Sequence, residues 1–465
     1  MGLAHRGDGV LTDATRATYR PGTLDFMTTL EQLQVSHLGE CRFVSPLGKY
    51  IAGRHTNEHY VDEDDRVLLD DTVELVRGRG LDLDALPTFE PGGPRRRLFF
   101  EPGATRAAIV TCGGLCPGLN DVIRGLVLEL HHHYGVDDVV GFRHGFAGLV
   151  PGVGHDPVPL TADSVASINE KGGTILGTSR GAQDPEVMAD RLVELGIDIL
   201  FVVGGDGSMR GAAALADVLL ARELPIAVIG IPKTIDNDIP LIGQSFGFQT
   251  AYTVAAQAIQ AAGVEASAAV GGVGLVRVMG RHSGFIACYA ALAVHQADYV
   301  LVPEVPFTLD GPTGLLACVH RTVVERGSAV VVVAEGAGQE LLSSAAGADA
   351  SGNAALADVG VFLRKAITEH FAAVGTELTL KYLDPGYSIR SVPAHAQDSV
   401  YCVRLAQAAV HAGMAGRTKM VVGRRHNRFI HVPIEQAVSY RNQVAPDGDL
   451  WLAVLESTAQ PAQLF

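Results

Sequence analysis

From residue 107 onward, short runs of apolar residues end in glycine-rich turns and give way to stretches with helical spacing. The runs at 107–111, 197–203, 226–231, 274–278, 299–303, 329–334 and 377–382 are mostly apolar rather than alternating, with Asp198 and Arg277 as single charged interruptions and 377–382 the most polar. That pattern predicts strands buried on both faces, as in a parallel sheet covered by helices. Helices are predicted between them at 121–132, 185–195, 209–222, 250–262, 285–295, 314–325 and 359–373. So many strand–helix units overfill one sheet. The reading is an α/β fold of two Rossmann-like α/β domains with parallel-rich sheets, preceded by an N-terminal extension.

Residues 1–95 break the pattern. The first thirty show little periodicity and read as a poorly ordered arm, and 38–69 contains short extended pieces. Glu90-Pro91-Gly92-Gly93-Pro94, followed by Arg95-Arg96-Arg97, marks a boundary. The expected units are an extension at 1–95, a first α/β domain at 96–240 completed by later segments, a second at 241–430, and a segment at 431–465 that packs back on the core.

Composition narrows the class. A formal net charge of −15 argues against a nucleic-acid surface or a polybasic membrane contact. The start lacks a basic stretch followed by an apolar core, and no window has the apolar length of a membrane span. The six cysteines are scattered, which fits reduced thiols in a cytoplasmic protein. Asp62-Glu63-Asp64-Asp65 reads as a solvated loop, Arg95–Arg97 as a surface cluster, and His131–His133 as an exposed helix end.

The chemistry concentrates at strand ends. One apolar run ends in Gly204-Gly205-Asp206-Gly207-Ser208, and the next, one helix later, in Pro232-Lys233-Thr234-Ile235-Asp236-Asn237-Asp238. Glycines there let backbone N–H groups close on phosphate oxygens, and the following helix adds its positive end. Three aspartates beside such a cradle imply a metal ion and a base. Further glycine turns follow at Cys112–Asn120, Gly172–Gly181 and Met279–Gly284, with Glu335 and Arg390 at later strand ends. The constellation reads as a phosphoryl-transfer site.

GGDGS, PKTIDND, MGRHSG, PEVPF and DPGYSIR, with TCGGLCPGLNDVIRG and GGTILGTSRG, together resemble the phosphofructokinase family over about residues 90–430. The wording of the first glycine turn and the extension resemble its longer-chained, ATP-using branch, which sits close to the pyrophosphate enzymes. The resemblance implies one domain for the phosphoryl donor (96–240) and one for the sugar phosphate (241–430). It implies Asp236 as general base toward the C1 hydroxyl of fructose 6-phosphate, with Thr234 and Arg281 as catalytic companions. Asp206 and Asp238 would hold and position Mg²⁺. Gly113, Arg180, Gly181, Gly205, Asp206, Gly207, Ser208 and Lys233 would form the ATP site. Thr234, Ile235, Asp236, Met279, Gly280, Arg281, Glu335, Lys381, Tyr387, Ser388, Ile389 and Arg390 would form the acceptor site. A homo-oligomer, dimer or tetramer, is the family expectation.

Two departures bear on this. Shorter bacterial relatives carry an arginine nine residues before the motif arginine that reaches a neighbouring subunit's sugar phosphate; here that position is Gly272. Lys233 resembles the pyrophosphate-using enzymes, whereas Gly207 resembles the ATP-using ones. A pyrophosphate-dependent phosphotransferase, a kinase for another ketose phosphate such as sedoheptulose 7-phosphate, and a nucleotide-sensing regulatory subunit are the competing readings. The last would lack a base or metal ligand, and all three aspartates are present.

Overall fold

The computed structural model describes residues 28–51, 60–73, 86–153, 156–342 and 355–465. The expected N-terminal arm lies almost wholly outside them. The strands of the two main sheets are β1 (Val67–Leu68), β2 (Thr88–Pro91), β3 (Arg106–Thr111), β4 (Asp138–Phe142), β5 (Val158–Pro159), β6 (Ile199–Gly204), β7 (Ala227–Pro232), β8 (Gly272–Val278), β9 (Tyr299–Leu301), β10 (Ser328–Ala334), β11 (Thr379–Leu383), β12 (Met420–Arg425) and β13 (Arg428–Pro433). The principal helices are α1 (Leu119–Tyr134), α2 (Pro185–Glu194), α3 (Asp206–Ala221), α4 (Phe248–Ser267), α5 (Phe285–Val294), α6 (Leu315–Arg326), α7 (Val359–Val374), α8 (Gly386–Ser391), α9 (Ala396–Met414) and α10 (Asp449–Thr458).

Nine strands form one sheet in the order β1-β2-β13-β12-β7-β6-β3-β4-β5, and four form a second in the order β9-β10-β8-β11. From β12 to β4 the large sheet is parallel, and the second sheet is parallel throughout. All six residues of β6 and of β7 are buried, as continuous apolar runs require.

Alternate side chains of these strands enter different cores. Ile109, Phe201, Val203, Ile229 and Ile231 meet α1, α9 and α4 on one face, while Val110, Leu200, Val202 and Val228 meet α2 and α3 on the other. The first of these cores continues without a break into Val276, Val278, Val332 and Ala334 of the second sheet. The outer face of that sheet is covered separately by α6 and α7. The two α/β units therefore share one apolar layer.

Two expected boundaries fall elsewhere. The segment 396–430, read from sequence within the second unit, belongs to the large sheet: α9 lies against α1, and β12 pairs in parallel with β7. The reason is close packing, since a Cβ on Gly125 of α1 would lie 2.7 Å from the Ala406 Cβ of α9. The described extension is also part of that sheet rather than a separate unit, because β1 and β2 continue it beyond β13. The cysteines are free and five of the six are buried. Among the described residues no helix is long and apolar enough to cross a membrane.

Arg95, expected at the surface, is only 2% exposed. It donates to Glu90 Oε1 at 2.6 Å, and Arg417, 1% exposed, reaches the same oxygen at 2.6 Å and Glu63 Oε2 at 2.7 Å. Burial pushes the Glu90 carboxyl upward, but His431 and the two guanidiniums outweigh it and hold it well below the usual carboxylate range. A depressed carboxylate stabilises the fold above its unfolded pKa, and that contribution disappears as pH falls through the folded value. At pH 7, Glu90→Gln removes the carboxylate that two buried guanidiniums share, leaves them only the exposed Glu63, and is expected to cost about 3–5 kcal/mol. Glu63→Gln, at an exposed partner, is expected to cost less than about 1 kcal/mol. Denaturant-unfolding midpoints of the two variants check this.

Candidate active site

At the crossing of the large sheet, Gly204 and Pro232 are register partners, so β6 and β7 end level and release their loops side by side. After Gly204 the chain turns through Gly205 directly into α3, which begins at Asp206. A Cβ on Gly204 would lie 2.4 Å from Ser208 Cβ, so only glycine lets the strand meet the first turn of α3. The unpaired N–H groups of that turn and the helix dipole favour an anion there. Gly207 faces open space, with nothing within 4 Å of where its Cβ would stand.

The β7 loop is braced from within. Lys233 N–H donates to the Gly204 carbonyl at 2.9 Å, Thr234 Oγ1 donates to Asp238 Oδ1 at 2.9 Å, and Asp236 N–H donates to Thr234 Oγ1 at 3.1 Å. Asn237 adopts φ +56° and accepts from Ser245 N–H at 2.8 Å. The buried Lys233 ammonium lies next to Gly113, and no carboxylate among the described residues pairs with it. Burial lowers its pKa. A cavity of about 780 Å³ runs past Gly113, Arg180, Gly181, Gly205–Ser208, Lys233 and Asp238.

The second unit closes on the same place. Ser283 Oγ donates to the Asp236 carbonyl at 3.2 Å, joining the β7 loop to the turn after β8. Glu335 N–H donates to Val278 O at 2.9 Å and Gly336 N–H to Gly280 O at 3.1 Å, which sets Glu335 beside the Met279–Arg281 turn. Arg277, Arg281 and Arg390 all lie within electrostatic reach of Glu335, whose pKa burial raises nonetheless. Met279 abuts Gly386 at the start of α8.

The Asp236 Oδ1 atom is sealed from solvent and has no hydrogen-bond partner among the described residues. Burial, then the neighbouring Asp238 and Glu335 carboxylates, push its pKa well above the ordinary value, against Arg441 and Lys233. Burial likewise raises Asp206. The site therefore holds several carboxylates that do not ionise comfortably together.

Some expected residues are not gathered here. Lys381 lies on the face of β11 and pairs with Glu265 at 3.8 Å. Glu265 is seventeen residues along α4 from Phe248, whose end meets Ile235, a displacement of about 25 Å. Tyr387 is 83% exposed with the Arg390 guanidinium 5.1 Å from its ring centroid, and Ser388 is exposed. Ile389 and Ile235 are core side chains, leaving only their backbone for a ligand. Gly272 carries no arginine for a steric reason: a Cβ there would lie 1.8 Å from the Ala266 carbonyl oxygen.

Two residues were missed from sequence. Arg277 in β8 pairs with Asp384 at 2.8 Å. Arg441 bridges Asp206 and Asp238, at 2.6 and 2.7 Å, from the segment between β13 and α10. Among the described residues no group of three or more His, Cys, Asp or Glu gathers as a metal centre. Two hard carboxylates beside a phosphate cradle nevertheless suit Mg²⁺, which takes one or two carboxylates and completes its shell with water and substrate phosphates.

Two facing α/β units, a glycine phosphate cradle and carboxylates at adjacent strand ends define a phosphoryl-transfer site. The phosphofructokinase family model matches residues 106–413, and the chain belongs to that family. It is 55% identical over 441 residues to an ATP-dependent 6-phosphofructokinase of Amycolatopsis methanolica, covering 93% of this chain and 96% of that one. It is 43% identical to an ATP-dependent 6-phosphofructokinase of Borreliella burgdorferi, covering 93% and 97% of the two chains. A solved pyrophosphate-dependent phosphofructokinase from Marinobacter aquaeolei has the same fold, with a TM-score of 0.63, 21% identity, and coverage of 77% of this chain and 92% of that one.

Because the folded state raises the Asp236 pKa, the proton is held more tightly folded than unfolded. Stability associated with this group is greatest at low pH and is lost as pH rises through the folded value. Asp236→Asn is therefore expected to raise the melting temperature of the ligand-free protein at pH 7.5. The gain should shrink as pH falls toward the ordinary Asp pKa of about 3.9. Differential scanning fluorimetry across pH measures it.

Proposed function

We propose that the chain is an ATP-dependent 6-phosphofructokinase, transferring the γ-phosphoryl group of ATP to the C1 hydroxyl of D-fructose 6-phosphate. The observation that carries this reading is the meeting, along one cavity, of the Gly205–Ser208 cradle with Thr234 and Asp238, the two residues that bracket buried Asp236 in the β7 loop. The 55% identical relative, printed as ATP-dependent, supports the donor.

In this reading Asp236 accepts the C1 proton as the hydroxyl attacks. Its raised pKa suits a base that must hold that proton late in transfer. The open start of α3, with Arg180 and Lys233, receives the donor phosphates. Arg281 and Arg390 face the acceptor side and supply positive charge around a loose transition state. Asp206 and Asp238 would hold Mg²⁺, which when bound neutralises charge on the donor phosphates. The enzyme works in the cytoplasm as a homo-oligomer, a dimer or tetramer.

Donor choice follows from Gly207. The open space at its Cβ position leaves room for a nucleotide beyond its β-phosphate, and an Asp there would add both bulk and like charge. A coupled assay with fructose 6-phosphate and Mg²⁺ is expected to give a higher kcat/KM with ATP than with pyrophosphate. Gly207→Asp is expected to abolish the ATP activity. A parent enzyme that prefers pyrophosphate overturns the donor assignment. In the same assay Asp236→Asn should lower kcat about 10²–10⁴-fold with little change in the KM for fructose 6-phosphate.

A further inference from the structure

The Arg441 guanidinium uses separate nitrogens for its two partners: Nη2 lies 2.6 Å from Asp206 Oδ2 and Nη1 lies 2.7 Å from Asp238 Oδ2. One cation thus spans the carboxylates released by β6 and β7. Its main chain is anchored independently. Asn442 N–H donates to the Asp238 carbonyl at 2.8 Å, Asn442 Nδ2 to Ile239 O at 2.8 Å, and Gln443 Nε2 to His282 O at 3.0 Å. The Arg441 side chain is 37% exposed and lines both the donor cavity and a second opening of about 440 Å³ beside it. The guanidinium can leave its partners without moving the backbone that carries it.

A divalent ion cannot share this place. Mg²⁺ binds oxygens at about 2.0–2.1 Å, and a second cation on the same two oxygens would meet strong repulsion at that range. With Arg441 gone and no metal present, Asp206 and Asp238 would lose the one cation they share. Arg441 also lies within electrostatic reach of Asp236.

We propose that Arg441 is a displaceable counter-ion, which occupies the divalent-cation position between Asp206 and Asp238 in the ligand-free enzyme and yields it when metal and nucleotide bind. The released guanidinium stays in the donor cavity, where the nucleotide's phosphates are its natural new partner. The inference rests on the reading of Asp206 and Asp238 as metal ligands. It makes the C-terminal segment part of the donor site.

Mn²⁺ is the probe, titrated into the full-length, nucleotide-free protein by calorimetry or electron paramagnetic resonance. If the bridge is formed nine-tenths of the time, removing it tightens apparent Mn²⁺ binding about tenfold; Arg441→Met should show that gain. Displacement itself is read in the unmutated protein, as the rate at which phenylglyoxal modifies Arg441, followed by mass spectrometry. The rate should be slow without ligand, faster with saturating Mn²⁺, and slow again with Mn²⁺ and ADP. If Mn²⁺ binds and the Arg441 rate does not change, the guanidinium is fixed and the proposal falls, while the metal ligands stand. If Asp206→Asn and Asp238→Asn bind Mn²⁺ as tightly as the parent, the ligand reading falls and takes this proposal with it.

Discussion

The structure depends on the apolar layer that its two sheets hold in common. α4 lies between them, with α1 and α9 completing the layer on the large sheet and α5 on the second. Burial of one continuous core is what fixes the relative position of β6 and β7 on one side and β8 and β10 on the other. The site is a consequence, since the loops that carry Asp206, Asp236, Arg281 and Glu335 leave strands whose inner faces are all packed into that layer. Close glycine approaches, such as Gly125 against Ala406, keep it thin enough for the loops to touch.

Beside that apolar layer, the site itself is electrostatically costly. Among the described residues, Asp236 has a sealed oxygen without a hydrogen-bond partner and Lys233 is buried without a paired carboxylate, while Glu335 carries a raised pKa within reach of three arginines. Each is unfavourable by itself, and in the proposed function donor phosphates and a sugar hydroxyl are the partners that would offset it. The Glu90–Arg95–Arg417 cluster, completed by Glu63, is the opposite case, where opposite charges are paired and tie the extension to the large sheet. The contrast separates charges kept for chemistry from charges kept for architecture.

Much of this was legible in the chain. Continuous apolar runs ending in glycine and charge marked the buried parallel strands, and the Gly204–Ser208 and Lys233–Asp238 loops fell where the strand ends place them. What escaped did so for physical reasons. Arg441 acts from 203 residues beyond Asp238, and a lone arginine in a polar segment carries no local signal. Arg95 looked like a surface charge because Arg417, which shares its partner Glu90, lies 327 residues from that carboxylate in sequence. Lys381 sits in a strand beside a genuine site motif, yet strand alternation turns it toward Glu265 rather than the cleft. The return of α9, β12 and β13 to the large sheet was hidden because apolar periodicity reports burial and not which sheet provides it.

That return has a consequence for how the protein is made. Ile229 of β7 pairs with Met420 of β12, so the inner edge of the large sheet waits for a partner synthesised about 190 residues later. At ribosomal rates of about 5–20 residues per second, the wait is roughly 10–40 s. Throughout that interval β7 presents an unpaired, wholly apolar strand edge, and β2 lacks β13 as well. Exposed edges of this kind recruit other chains. The nascent protein thus passes through a long window in which its most buried strand is its most adhesive surface, and closure of that window coincides with arrival of the segment that carries Arg441 into the site.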